Sequence, residues 1–63
     1  MDGVFSVYEW RDDHRTYLAR LTALEAKHHA SNAQRPCLLY RGDSHVATIL
    51  PNVDGTVRTV GRL

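Results

Sequence analysis

Apolar and polar positions in the first half of the chain follow helical spacing. Val7, Trp10, His14, Tyr17, Leu21, Leu24 and His28 are separated alternately by three and four residues, which collects them on one stripe of a helix. Leu18 widens that stripe. In front of it, Ser6-Val7-Tyr8-Glu9 reads as a capping box. The Ser hydroxyl accepts from the backbone N–H three residues on, and the Glu carboxylate reaches back. Phe5 and Trp10 stand where a hydrophobic staple belongs. Asp12 and Asp13 towards the start, with Lys27, His28 and His29 towards the end, suit the helix dipole. The spacing therefore predicts a helix over about 7–31, stopped before Pro36, which biases Arg35 away from the α region. Such a helix is roughly 37 Å long at 1.5 Å per residue.

After Pro36 the pattern shortens. Cys37–Arg41 reads as a strand, Gly42-Asp43 as a two-residue turn of type II′, and Ser44–Leu50 as the return strand. Pro51 to Gly55 is a turn cluster with its tight corner at Asp54-Gly55, and a third strand runs over 56–63. The expected fold class is thus α+β, in one domain spanning 1–63: a long N-terminal helix followed by a three-stranded antiparallel β-meander. The alternative makes Val4–Tyr8 a strand on β propensity. The helix then starts near Asp12 or Asp13 and the order is β-α-β-β-β.

With Arg41 paired to Ser44, one sheet face collects Cys37, Leu39, Val46, Thr48 and Leu50, joined by Val57 and Leu63. The other collects Leu38, Tyr40, His45, Ile49, Arg58, Val60 and Arg62. Strands of this length reach roughly 20 Å, so a helix starting at residue 7 overhangs them. The excess predicts a partner. A homodimer is expected, with Trp10, His14, Tyr17 and Leu21 in the contact and Leu38, Tyr40 and Ile49 as a second surface.

Length sharpens this expectation. The chain has 63 residues and one cysteine, Cys37, so no internal disulfide supports a core that in this size class supplies only about 3–5 kcal/mol. The lone cysteine, the acidic Met1-Asp2-Gly3 start without a signal-peptide pattern, and the lack of a long apolar run lead us to expect a cytoplasmic protein without a membrane span. A formal charge of +1 is neither that of a strongly basic nucleic-acid binder nor that of an acidic mimic.

Candidate chemistry is sparse. His28, His29, Cys37 and His45 bind metals in other settings, but only the two adjacent histidines are close, and they diverge on a helix; no metal or cofactor is expected. Asp43-Ser44-His45 has the residue types of a hydrolytic triad, yet consecutive residues do not converge on one point. Cys37 between Arg35 and Arg41 is either an activated thiol or a small buried apolar residue. Arg41-Gly42-Asp43 resembles an integrin-binding tripeptide, and turn chemistry already accounts for Gly-Asp. No catalytic residue is expected and the protein is read as non-enzymatic.

Two functional readings remain. The first is a protein-binding regulator or inhibitor acting by occlusion. Its profile is similar to that of small phage- or plasmid-encoded inhibitors, anti-CRISPR proteins among them, by size and lack of site chemistry alone. The second is a nucleic-acid-binding regulator using the sheet, with Tyr40, Arg41, Arg58 and Arg62 as contacts. If His14 and His28 are buried on the helix stripe, stability is also expected to fall below about pH 6.

Overall fold

The computed structural model describes residues 3–62. Its elements are β1 (Val4–Arg11), β2 (His14–Thr22), α1 (Ala23–Ala33), β3 (Cys37–Arg41), β4 (Ser44–Pro51) and β5 (Val57–Gly61). All strand pairs are antiparallel, and the sheet order is β2-β1-β3-β4-β5. The fold is α+β, with one short helix against one face of a five-stranded sheet.

The long helix over 7–31 is not formed. Residues 4–8 are strand, as in the alternative β-α-β-β-β reading, and a second strand precedes the helix. The strands expected after Pro36 form one side of the larger sheet. Period two wins over the helical spacing in β1 because Phe5, Val7 and Glu9 are buried on one side while Ser6, Tyr8 and Trp10 emerge on the other. Val4, Phe5, Val7, Tyr8 and Trp10 also favour a pleated surface. The chain reverses at Asp12 and Asp13, which both adopt positive φ (52° and 65°), the signature of a type I′ hairpin turn. Asp tolerates that region because its short side chain bonds locally. The acids expected at a helix start therefore make a hairpin.

The helix begins instead at a second Ser/Thr-x-x-Glu sequence. Thr22 Oγ1 accepts from the Glu25 N–H at 3.1 Å, and Glu25 Oε1 accepts from the Thr22 N–H at 2.8 Å. This is a complete capping box, followed by Ala, Leu, Glu, Ala and Lys, all strong helix formers. Gln34 ends the helix in the left-handed region (φ 58°) and donates its N–H to the Ala30 carbonyl. Ala26 and Ala30, one turn apart and both fully buried, let the helix lie close against the sheet. They share a core with Phe5, Val7, Cys37, Leu39 and Ile49.

Two β-bulges set which residues face this core. One gives β2 an extra residue, Leu18, between the pairs Val7↔Ala19 and Tyr8↔Tyr17. The other gives β4 an extra residue, Val46, between Leu39↔Ala47 and Tyr40↔His45. Leu18 and Val46 both pack against the core. Each bulge shifts the side-chain phase by one residue, which moves every later side chain to the other face. Arg41 does pair with Ser44 and Gly42 alone has positive φ in that turn, as type II′ requires. Beyond the bulge the expected faces exchange. Ile49 is fully buried under the helix, whereas Thr48 and Leu50 pair with Val60 and Arg58 on the opposite face. Leu63 lies outside the described residues.

The last turn closes over Asn52–Gly55, where the Gly55 N–H donates to the Asn52 carbonyl at 3.2 Å, one residue before the corner expected at Asp54-Gly55. Asp54 Oδ1 accepts from the Thr56 N–H (3.0 Å) and hydroxyl (2.6 Å), and Ser31 Oγ on the helix donates to the Gly55 carbonyl at 2.6 Å. These bonds tie the β4–β5 connection to α1.

Candidate functional site

The face of the sheet away from α1 is uncovered. Crossing it from one edge to the other, the strand order places Tyr17 on β2, Tyr8 on β1, Tyr40 on β3 and His45 on β4 in adjacent positions. Their ring centroids are 5.4 Å, 5.2 Å and 5.2 Å apart in that order. The first two contacts are edge-to-face, which suits the ring quadrupoles. The two tight turns set this row. The hairpins at Asp12-Asp13 and Gly42-Asp43 fix Tyr8↔Tyr17 and Tyr40↔His45 before either bulge is reached. The bulge at Leu18 then turns Arg20 to the same face. The Arg15 guanidinium lies over this row, 4.8 Å from the Tyr8 centroid and 4.9 Å from that of Tyr40. Trp10, directly opposite Arg15, is 43% exposed, and Tyr17 is 53% exposed.

Charge on this face has one sign. Alternation along β2 puts Arg15 and Arg20 on it, beside Trp10 and Ser6. On β5, Arg58 pairs with Leu50 there, and Arg62 follows two residues after Val60, its N–H donating to Val46. Among the described residues every carboxylate side chain lies elsewhere: Glu9 faces the helix, Glu25 caps it, and Asp12, Asp13, Asp43 and Asp54 occupy turns. Among the described residues no ion pair engages Arg15, Arg20, Arg58 or Arg62.

The expected interface residues are therefore partly reunited and partly dispersed. Trp10, Tyr17, Leu38 and Tyr40 share the open face, although no long helix carries them. Leu21 faces the helix side and Ile49 is buried in the core. His14 sits at the hairpin end, exposed, with Nδ1 donating to the Asp12 carbonyl at 3.1 Å. His28 is also exposed and accepts from Asn32 Nδ2 at 3.0 Å, so the expectation of two buried stripe histidines fails. Of the expected nucleic-acid contacts, Arg58 reaches the open face, while Arg62 lies just past the end of β5. Arg41 turns to the helix side and lies 5.1 Å over the Phe5 ring. The helical spacing puts Arg15 and Arg20 on a helix, so the sequence pattern does not point to them as sheet contacts.

The helix side carries a second polar feature. Glu9 is only 3% exposed and is the one buried charged side chain there. His29 Nε2 donates to its Oε2 at 2.9 Å, and Arg11 Nη2 lies 3.0 Å from Oε1. An ionised carboxylate only accepts, so His29 carries its proton on Nε2. The His29 hydrogen bond holds the Glu9 carboxyl below its usual value, against desolvation and assisted by the Arg11 charge. Cys37 is the β3 partner of Glu9. Burial, reinforced by that carboxylate, pushes its thiol up to about 11. Thiolate is the reactive form, so Cys37 is a packing residue, and the activated-thiol reading is set aside.

A shallow groove beside α1 is bordered by Leu21, Leu24, Glu25, His28 and His29. Its polar groups are already engaged: Glu25 with Thr22, His28 with Asn32, His29 with Glu9. Among the described residues no three His, Cys, Asp or Glu side chains cluster as a metal site, and no helix is long and apolar enough to cross a membrane.

No protein-family model matches the chain, and no curated protein or solved structure matches it.

Proposed function

We propose that this protein is a small nucleic-acid-binding module whose working surface is the open face of its sheet. The observation that carries the reading is the acid-free combination of a four-ring row with Arg15, Arg20, Arg58 and Arg62. Arginine pairs with phosphate and lies flat on aromatic or base planes, while tyrosine and tryptophan offer stacking surfaces. The overall charge of +1 does not oppose this. What matters near a surface is local charge, and here the acids are segregated to turns and to the helix side.

The test is a binding titration with fluorescently labelled oligonucleotides at several salt concentrations. Phosphate contacts make log K fall linearly with log salt, by about 0.7 per contact for a single strand. A steep slope is expected, flattened by roughly one to two in Arg58→Ala/Arg62→Ala. Failure to bind any oligonucleotide at low salt would remove the reading.

A second reading, the occlusive protein-binding regulator, has one observation in its favour: Trp10, Tyr17, Leu38 and Tyr40 share the open face with Arg15. Trp, Tyr and Arg are the residues enriched at protein hot spots. A self-associating form through this face would appear as a dimer in a concentration series by sedimentation and would lose association in Trp10→Ala.

A further inference from the structure

The open face offers more than a place to bind; its layout has a direction. We propose that it takes a single strand of nucleic acid laid across the β-strands, about four nucleotides at a time. This inference rests on the nucleic-acid reading above.

Three observations set the direction. The rings of Tyr17, Tyr8, Tyr40 and His45 form a row with one ring per strand, so the stacking surface runs from β2 to β4, perpendicular to the strands. The arginines are rooted at the two ends of that line, with the Arg15 guanidinium reaching inward over Tyr8 and Tyr40. Arg15 and Arg20 are on β2 and Arg58 and Arg62 are on or just beyond β5, which are opposite edges of the sheet and about 19 Å apart over four inter-strand steps. The described carboxylates bound the other two sides. The β1–β2 turn with Asp12 and Asp13 and the β4–β5 turn with Asp54 lie at one end of the strands, and the β3–β4 turn with Asp43 lies at the other. A polyanion running along the strands meets acids at both ends. One running across them passes from arginine to arginine.

The same layout selects single strands. Reading a duplex requires an element that enters a groove roughly 12 Å wide and 8.5 Å deep. Among the described residues no helix stands on this face, and the β1–β2 and β3–β4 connections are two-residue turns. A single strand instead presents unstacked bases, whose π-faces fit aromatic and guanidinium planes. Arg15, already held over Tyr8 and Tyr40, offers its guanidinium to a base or a phosphate without further ordering. One base per ring gives about four nucleotides, the short end of the range for single-strand sites.

Trp10 supplies the readout, being the only tryptophan in the chain and part of this face. Quenching of its emission is followed with oligothymidylates of two to eight nucleotides and with a DNA duplex of eight base pairs. Each added nucleotide up to about four should tighten binding several-fold, with little gain beyond, and the duplex should bind at least about tenfold more weakly than the eight-nucleotide strand. In Tyr17→Ala, an exposed edge position whose folding is checked by circular dichroism, the plateau should arrive one nucleotide earlier. Equal affinity for duplex and single strand, or affinity that grows evenly through eight nucleotides, would overturn the inference while leaving nucleic-acid binding intact. No quenching and no competition with any of these probes would overturn both.

Discussion

The guanidinium of Arg15 on β2 lies 4.8 Å over the ring of Tyr8 on β1, on the side of the sheet that the helix leaves open. Stacking of this kind is worth about 0.5–1 kcal/mol at an exposed site, so it orients the side chain more than it stabilises the fold. Arg15→Ala should therefore shift the unfolding free energy by about 1 kcal/mol or less while weakening oligonucleotide binding several-fold. Arg15→Lys should recover little of that affinity, because an ammonium has neither the plane nor the fork. Denaturant unfolding and a binding titration on the same preparations separate the two effects; a large loss of stability with unchanged affinity would make Arg15 purely structural.

Glu9 predicts an acid limb in stability. Its carboxyl, held down chiefly by the His29 hydrogen bond, has a lower value folded than unfolded. Its contribution is complete above the ordinary carboxylate value of 4.5 and is lost as pH falls through the lower folded value. Glu9→Gln keeps an acceptor for His29 but does not ionise, so urea midpoints between pH 3 and 6 should vary less steeply than in the parent. Some slope should remain, since the carboxyls of Glu25 and Asp54 are also lowered, by Thr22 and Thr56 respectively. An unchanged pH profile in the variant would show that Glu9 carries none of it.

Gly61 holds β5 against the bulge in β4. Its φ is +117°, and a Cβ there would stand 2.6 Å from the Val46 carbonyl oxygen and 2.9 Å from the Ala47 Cα. Both obstacles are backbone, so neither moves aside cheaply. Gly61→Ala should cost at least about 1 kcal/mol and loosen the edge strand, visible as faster amide exchange in Val57–Gly61 than in β1. Parent-like exchange and stability would contradict the close approach.

Two capping-box sequences compete in this chain, and substitution distinguishes them. Thr22→Ala should cost about 1 kcal/mol, whereas Ser6→Ala, in the middle of a strand, should change stability by less than about 0.5 kcal/mol. The reverse ranking would restore the helix start at Ser6.

That pair also shows what the sequence makes legible. The turn at Gly42-Asp43, the turn near Asp54-Gly55, the strands following Pro36 and the alternative strand at Val4–Tyr8 can be read from local residue chemistry. The helical spacing from Val7 to His28 arises because two strands and a helix, joined by tight connections, happen to space their apolar residues by threes and fours. Asp12-Asp13 could have broken that pattern, since paired aspartates between apolar runs suit a type I′ turn as well as a helix start. The candidate face was half visible in Tyr40, Arg58 and Arg62. Its other half, Tyr8, Arg15 and Tyr17, depends on the pairing of the β1–β2 hairpin, and Arg20 and the burial of Ile49 depend on the bulges at Leu18 and Val46. Bulges leave no local signature in these residues, and a one-residue shift is enough to exchange Ile49 with Thr48.

The central claim is that the open face, and not the helix side, is the working surface. Amide shift mapping by ¹H–¹⁵N NMR during titration with a short oligothymidylate tests it most directly. The account predicts perturbations at Tyr8, Trp10, Arg15, Tyr17, Tyr40, His45 and Arg58, with Ala26, Ala30 and the rest of α1 unmoved. Shifts concentrated on α1 and the groove at Leu21 and Leu24, or no shifts at saturating oligonucleotide, would contradict it.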